Sequence, residues 1–404
     1  MARPLTFLCI STYFKGNDFL RACKNAGNIV YLLTAKKLDQ KPWARESVDE
    51  FFYIEEGEDK TYDMDEVVTG LAYIMRSRMI DRVVALDDFD VEKAALIREY
   101  FRIPGMGQTT GKYFRDKLAM RTKAAESGIL VPGFCGLFND EVINKFLDDH
   151  AGPWMIKPRS EASATGIKKL HTREELWETI HELGDKRHAY LVEQFKPGDV
   201  YHVDSLSMNG RVIFTWNSKY LAPPFDVAHG GGIFRSMTVP FDSSEAHALE
   251  TISIDVLKAF GLRHSASHTE VIRSKDDGKY YFLETSSRVG GAHLSELVEA
   301  SSGINLWKEW AKMETAEAKG EPFKLPPSRK EYAGIIISLT RQQWPDISIF
   351  NDPEIVWRMD EEYHIGLVVR SKSKDKVIEL LDKYAEIIQS EYHASAPAPD
   401  RPMH

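Results

Sequence analysis

Within the first hundred residues, short apolar runs alternate with longer helical stretches, and this rhythm restricts the chain to a largely parallel α/β sheet. The run 5–10 has the continuous apolar character of a buried strand; a turn at Lys15-Gly16-Asn17 and a helical stretch over 18–25 follow it. A second run comes at 29–33, then a helical stretch at 64–79, a run at 82–86 and a helix over 90–101 that carries Ala94, Ala95, Leu96 and Ile97. Pro104 and Gly105 interrupt the pattern, so a first domain is expected over residues 1–112.

Residues 113–127 read as a helix bearing Arg115, Lys117, Arg121 and Lys123, closed by Gly128 ahead of Val131-Pro132. A smaller α+β lobe follows, with strand runs at 134–138, 154–157, 167–171 and 190–195 and helices at 140–150 and 173–183; helix and lobe together span 113–195. From residue 200 the pattern is strand-rich. Runs 202–208 and 211–216 form a hairpin about Asn209-Gly210, a dipeptide that tolerates the positive φ of a tight turn. After a helix over 244–260, strands at 267–273 and 279–285 flank the polar turn Ser274-Lys275-Asp276-Asp277-Gly278. A helix carrying Leu294, Leu297 and Val298 closes a second lobe, 196–320. Pro322, Pro326 and Pro327 mark a linker into an α+β subdomain, 321–394, and three prolines within 395–404 imply a loose tail.

Composition removes several function classes. Hydrophobic residues at 43% and aromatics at 11% can fill a core, so the chain is globular. A net charge of -9 without a basic stripe disfavours a nucleic-acid partner. Cys9, Cys23 and Cys135 are odd in number and far apart, which supports neither a disulfide framework nor a zinc-ligand pattern. The N-terminal apolar run is too short to span a membrane and lacks a secretory cleavage pattern, so a cytoplasmic protein with no membrane partner is expected.

The chemistry-bearing residues begin with Glu270 and Glu284, on two strands that the short turn makes antiparallel neighbours. Two carboxylates brought together repel, and a divalent cation with oxygen ligands relieves that cost; a solvated face with lysine partners is the alternative. Ser286, two residues beyond Glu284, shares its face, and Arg288 can reach an anion nearby. Trp154-Met155-Ile156-Lys157-Pro158 is a buried strand ending in a lysine, and the small hydroxyl-bearing loop after it suits a phosphate, or is an ordinary loop. Tyr190 to Phe195 is an apolar strand reaching Glu193, with Asp199 beyond a Pro-Gly turn; a strand end of this kind can hold a purine edge and ribose hydroxyls, or simply enter a turn. The glycine-bearing stretch 219–235, with Lys219, Tyr220, Phe225, His229 and Arg235, reads as a substrate-facing loop or as a plain connection.

Taken in order, these fragments resemble the ATP-grasp superfamily. The matching pieces are Asp116-Lys117 on a helix, Lys157-Pro158 closing a strand, Glu193-x-Phe195-x-x-Gly198-Asp199 at a hinge, Glu270, and Glu284-x-Ser286-x-Arg288-x-Gly290-Gly291. The resemblance implies α/β and α+β architecture: a Rossmann-like pre-ATP-grasp domain, a two-lobe nucleotide-binding core whose smaller lobe is the lid, and a C-terminal α+β subdomain. It implies ATP and Mg2+ as cofactors, with Mn2+ as a substitute. Lys117, Lys157, Ser163 and Thr165 would meet the phosphates, Glu193, Gln194 and Phe195 the adenine, and Asp199 the ribose. Glu270, Glu284 and Ser286 would hold the metal, and Arg288 and Lys157 would serve the chemistry. The family usually has Asn at the position of Ser286 and more glycine in the lid loop.

His268-Thr269-Glu270 with Arg288-Val289-Gly290-Gly291 resembles the L-amino-acid-ligase-like branch of carboxylate-amine ligases, and residues 364–369 resemble the C-terminal region of those ligases and of biotin carboxylases. The implied reaction activates a small-molecule carboxylate as an acyl phosphate and joins it to an amine. Lys219, His229, Arg235, His268, Arg288, Gly290 and Gly291 are the substrate-facing candidates, and a homodimer is usual in similar ligases. Two other readings remain: an ATP-grasp carboxylase or formyl-transfer ligase of nucleotide biosynthesis, and a non-catalytic ATP-binding regulatory protein. Retention of Lys117, Lys157, Glu270, Glu284 and Arg288 speaks against the latter.

Overall fold

The structure, a computed structural model, describes residues 3–57, 61–161 and 165–395. Ser163 and the tail expected beyond residue 395 lie outside these residues. β1 (Thr6–Ser11), β2 (Ile29–Ala35), β3 (Glu50–Ile54) and β4 (Arg82–Ala85) form a parallel sheet in the order β3-β2-β1-β4. Phe7 and Cys9 pack into one core and Leu8 and Ile10 into another, which is why β1 reads as an unbroken apolar run. β3, an edge strand partly exposed along its length, has no counterpart in the sequence reading.

The helix expected over 113–127 begins only at Lys117, because the Asp116 carboxylate accepts from the amides of Leu118 and Ala119 and caps it there. Beyond it β5 (Phe134–Gly136), β6 (Trp154–Pro158), β7 (Lys168–Leu170) and β8 (Tyr190–Gln194) make a small antiparallel sheet ordered β5-β8-β6-β7. Helices Asp140–Asp149 and Arg173–Leu183 bury Ile143, Phe146, Leu176 and Ile180 against Trp154, Ile156 and Val192.

The third sheet has eight strands: β9 (Gly198–Met208), β10 (Arg211–Tyr220), β11 (Phe234–Thr238), β12 (Ser265–Ser274), β13 (Tyr280–Ser286), β14 (Tyr332–Leu339), β15 (Ile355–Arg358) and β16 (His364–Ser371). Their order is β13-β12-β9-β10-β11-β14-β16-β15, antiparallel at each pairing. The β9–β10 hairpin turns at Asn209 and Gly210, with φ of 54° and 73°, the doubly left-handed geometry this dipeptide favours. The strands from the stretch read as a C-terminal subdomain continue this same sheet through β11, covered by helix Lys374–Glu391. Cys9, Cys23 and Cys135 are buried free thiols. No helix among the described residues is long and apolar enough to cross a membrane.

Candidate active site

A cavity of about 580 Å³ lies between the three sheets. Asp88 just beyond β4, the helix Lys117–Glu126, strands β6 and β8, residues 195–198 and strands β12 and β13 all contribute to its wall. Its most ordered part is a block of polar side chains on one face of β9, β12 and β13. Register sets His202, Glu270 and Glu284 side by side in one rank and Asp204, His268 and Ser286 in the next. Thr269 and Thr285 alternate to the opposite face, where their hydroxyls bond at 2.8 Å.

Glu270 and Glu284 are thus direct cross-strand neighbours, on the adjacent strands their sequence spacing implies and brought opposite by a register shift beside Val271. Glu270 accepts from the Tyr220 hydroxyl at 2.8 Å, and Lys117 lies 3.1 Å from Glu284. Burial, together with Glu270, pushes the Tyr220 phenol well above its usual range, so it stays a donor. Lys117 also donates to the Glu161 carbonyl at 2.6 Å, tying the helix to the loop after β6.

Lys157, at the end of β6, donates to Glu193 on β8, and Arg121 holds the other Glu193 oxygen at 2.9 Å. Burial would raise the Glu193 pKa, but Arg121 and Lys157 together bring it below the ordinary value. Backbone pairing engages the next residues: the Gln194 amide bonds to Gly133 and the Phe195 amide to Pro153. Lys169 sits 3.6 Å over the Phe195 ring. Thr165 brings a buried hydroxyl without a hydrogen-bond partner among the described residues to the same wall.

Behind Glu270 lies a buried chain of polar groups. The two Asp204 oxygens meet His202 Nδ1 at 2.8 Å and His268 Nδ1 at 2.9 Å, and His202 Nε2 reaches the Ser236 hydroxyl at 2.8 Å. Burial opposes charge on His268, yet Asp204 and Glu270 raise its pKa to about 9; burial keeps His202 below its ordinary value. The same two imidazoles, against the effect of burial, hold Asp204 well below the carboxylate range. Gly290 packs on this network: a Cβ there would lie 2.9 Å from both Asp204 Oδ1 and His268 Nδ1.

The cavity therefore gathers Lys117, Lys157, Thr165, Glu193, Gln194, Phe195, His268, Glu270, Glu284, Ser286, Arg288 and Gly291, along with Tyr220 and Phe225. Asp199, Lys219, His229, Arg235 and Gly290 do not line it. Asp199 and Lys219 pair with each other at 2.8 Å, Arg235 reaches Asp382 at 2.7 Å, and His229 is exposed in the short helix Pro224–Gly230.

No protein-family model matches the chain. An L-arginine-specific L-amino acid ligase from Bacillus subtilis is 28% identical over 265 residues, covering 62% of this chain and 63% of the relative. The chain spans a little under two thirds of the length of such curated relatives, 63% and 65% for two of them. Over whole folds the likeness is broader. An L-amino acid ligase from Bacillus licheniformis superposes with a TM-score of 0.73 at 18% identity, covering 97% of this chain and 99% of the other. The ADP complex of N5-carboxyaminoimidazole synthetase from Staphylococcus aureus gives 0.71 at 13% identity, covering 95% and 96%.

The chain has an ATP-grasp fold.

Sequence reasoning about this chain missed three parts of the cavity region: Asp88, Arg121 as the partner of Glu193, and the His202–Asp204 support of His268. His202-Val203-Asp204 repeats the spacing of His268-Thr269-Glu270, a usable signal once β9 is known to lie beside β12. Asp88 offered none, since it comes from the first sheet.

Proposed function

We propose that this ATP-grasp protein is an ATP-dependent carboxylate-amine ligase acting on small molecules. The observation that carries the reading is the opposed pair Glu270 and Glu284 in a cavity that also holds Lys117, Lys157 and Arg288. Two adjacent carboxylates with oxygen-donor neighbours suit magnesium: Tyr220 and Lys117 are their partners here, and each can yield to a stronger cation. Glu270, Glu284 and Ser286 would hold the metal, which when bound supplies charge neutralisation at the phosphate oxygens.

In this reading a carboxylate oxygen of the substrate attacks the terminal phosphorus of ATP and the bond to ADP breaks. Lys117, Lys157 and Arg288 balance the charge spread over the phosphoryl oxygens, and Thr165 donates from the small lobe. The amine nitrogen then attacks the acyl carbon, phosphate leaves with the carbon–oxygen bond electrons, and the nitrogen loses a proton. No covalent enzyme intermediate is required. The cavity between the lobes keeps water from the acyl phosphate. The reading extends to a homodimer, which sedimentation tests.

The decisive experiment incubates the protein with ATP, magnesium and pooled amino acids, measures ADP, and searches for new amides by mass spectrometry beside a Glu284→Gln variant. Amides from the wild type and none from the variant support the ligase. ATP binding without turnover on any acid overturns it in favour of a binding protein, and a carboxylated product from an added bicarbonate arm overturns it in favour of a carboxylase.

A further inference from the structure

Beyond Arg288 the cavity wall is a turn with an uncommon backbone. Gly291, Ala292 and Leu294 line the cavity, whereas His293 does not. Ala292 and His293 have φ of 49° and 52°, and among the described residues they are the one adjacent pair of non-glycine residues in the left-handed region. A side chain disfavours that conformation, which persists only where surrounding contacts hold it. Ala292 is exposed and offers only a methyl group, so the hold has to come through its neighbour.

His293 is gripped from three directions. Its Nδ1 lies 3.3 Å from Glu296, in the first turn of helix Leu294–Ser302, and its Nε2 lies 3.3 Å from Glu361, in the turn between β15 and β16. Its ring packs on Trp357 of β15 with centroids 4.8 Å apart. The turn that bears Glu361 is itself fixed: the Met359 amide bonds to Gly366, the Tyr363 amide to Gln343 and the Thr340 amide to Tyr363. Neither Trp357 nor Glu361 lines the cavity. Burial opposes charge on His293, but Glu296 and Glu361 raise its pKa to about 9; His364 and Lys41 are the cationic neighbours of Glu361 itself. On the cavity side, Arg288 donates from Nη1 to the Val289 carbonyl at 2.9 Å, and its Nε lies 3.9 Å from Asp88. A shift of the turn therefore carries Val289 and Arg288 with it.

Resting on the ligase reading for its catalytic part, we propose that His293 is a positioning residue, which straps the turn 291–294 to the far end of the third sheet and so fixes the cavity wall beside Arg288 for turnover. The C-terminal strands then serve the reaction without reaching the ligand. An imidazolium suits this task because it offers one N–H to each of two carboxylates, whereas a neutral imidazole has a single N–H and must release one of them. The strap is whole at neutral pH and loosens as pH rises through about 9.

The test measures ADP release with ATP, magnesium and an acid the wild type accepts, at about pH 7 and about pH 9. Wild type is compared with His293→Asn and Glu361→Gln. Asparagine tolerates the left-handed region, so the first change removes the strap rather than the backbone preference. His293→Asn is expected to lower kcat about tenfold at neutral pH with KM for ATP within about twofold. Glu361→Gln should stay within about twofold of wild type at neutral pH and fall about threefold or more below it at the higher pH. His268, also raised to about 9, is common to all three proteins and cancels in that ratio. A kcat equal to wild type in both variants at both pH values overturns the proposal and leaves His293 as a stabiliser of the fold alone. Hydrogen exchange of the 289–297 amides, read by mass spectrometry, does not depend on turnover. Faster exchange there in His293→Asn, in a protein that turns over no acid, keeps the strap and sinks the ligase. Unchanged exchange sinks the strap whatever the ligase does. If His293→Asn does not fold, Glu361→Gln at the higher pH decides by the same two readouts, because its side chain is 53% exposed and its replacement leaves the core untouched.

Discussion

Glu193 and Glu284 are the same residue type on strands bordering one cavity, and their surroundings give them opposite parts. Glu193 keeps 3% side-chain exposure, with one oxygen on Lys157 and the other on Arg121. Glu284 keeps 37% exposure, and Lys117 at 3.1 Å is its ion-pair partner. A carboxylate enclosed by two cations belongs to the scaffold, because removing it strands their charge away from water. One that faces the cavity beside a single lysine can exchange that partner for a ligand. What surrounds the strand, not the strand itself, sets the difference.

Breaking the enclosed acid is expected to have the largest effect. Glu193→Ala leaves Arg121, 1% exposed, and Lys157 without their carboxylate and costs about 3–5 kcal/mol of unfolding free energy, read by urea denaturation. A variant as stable as wild type would erase the contrast with Glu284. At the open acid the loss falls on turnover instead. Glu284→Gln is expected to lower kcat by on the order of 10²–10³-fold while the melting temperature moves by no more than about 2 °C. A large drop in melting temperature would place Glu284 with Glu193.

The same distinction extends to a cation. His293 lies 3.3 Å from both Glu296 and Glu361; burial opposes its charge, but those two carboxylates raise its pKa to about 9. A free histidine titrates near about 6.5. The stability it contributes is therefore complete below about pH 6.5 and is lost as pH rises through about 9. Between those limits the unfolding free energy should fall by roughly 1–3 kcal/mol on its account. His268, also raised to about 9, adds to the fall in wild type, so His293→Gln should show a shallower decline that does not vanish. An unchanged pH profile would mean that His293 is not held as a cation. The smallest effect is expected outside the cavity: Lys219→Ala breaks the partly exposed pair with Asp199 and a contact with the Tyr201 ring and should alter kcat/KM by less than about threefold.

Local patterns made much of this legible. The apolar run of β1, the Asn209-Gly210 turn and the short link between β12 and β13 are local features, and each appears where the sequence places it. The short turn makes β12 and β13 neighbours, but a register shift beside Val271 is what sets Glu284 rather than Leu283 opposite Glu270, a detail the sequence does not show. Lys219 and Arg235 illustrate the limit. A long glycine-bearing segment marks a loop without saying which of its side chains turn inward, and here Tyr220 and Phe225 do while those two pair elsewhere.

From the sequence alone come the ATP-grasp motif order, many of the strands and the placement of the two acids on neighbouring strands, because each depends on residues close along the chain. The tertiary structure alone decided that Arg121 encloses Glu193, that Asp204 stands behind His268, and that Asp88 meets Arg288, pairs separated by 72, 64 and 200 positions. Such contacts follow from how three sheets pack and register against one another. No local period records that packing, and it determines which charges are buried, paired or left facing the cavity.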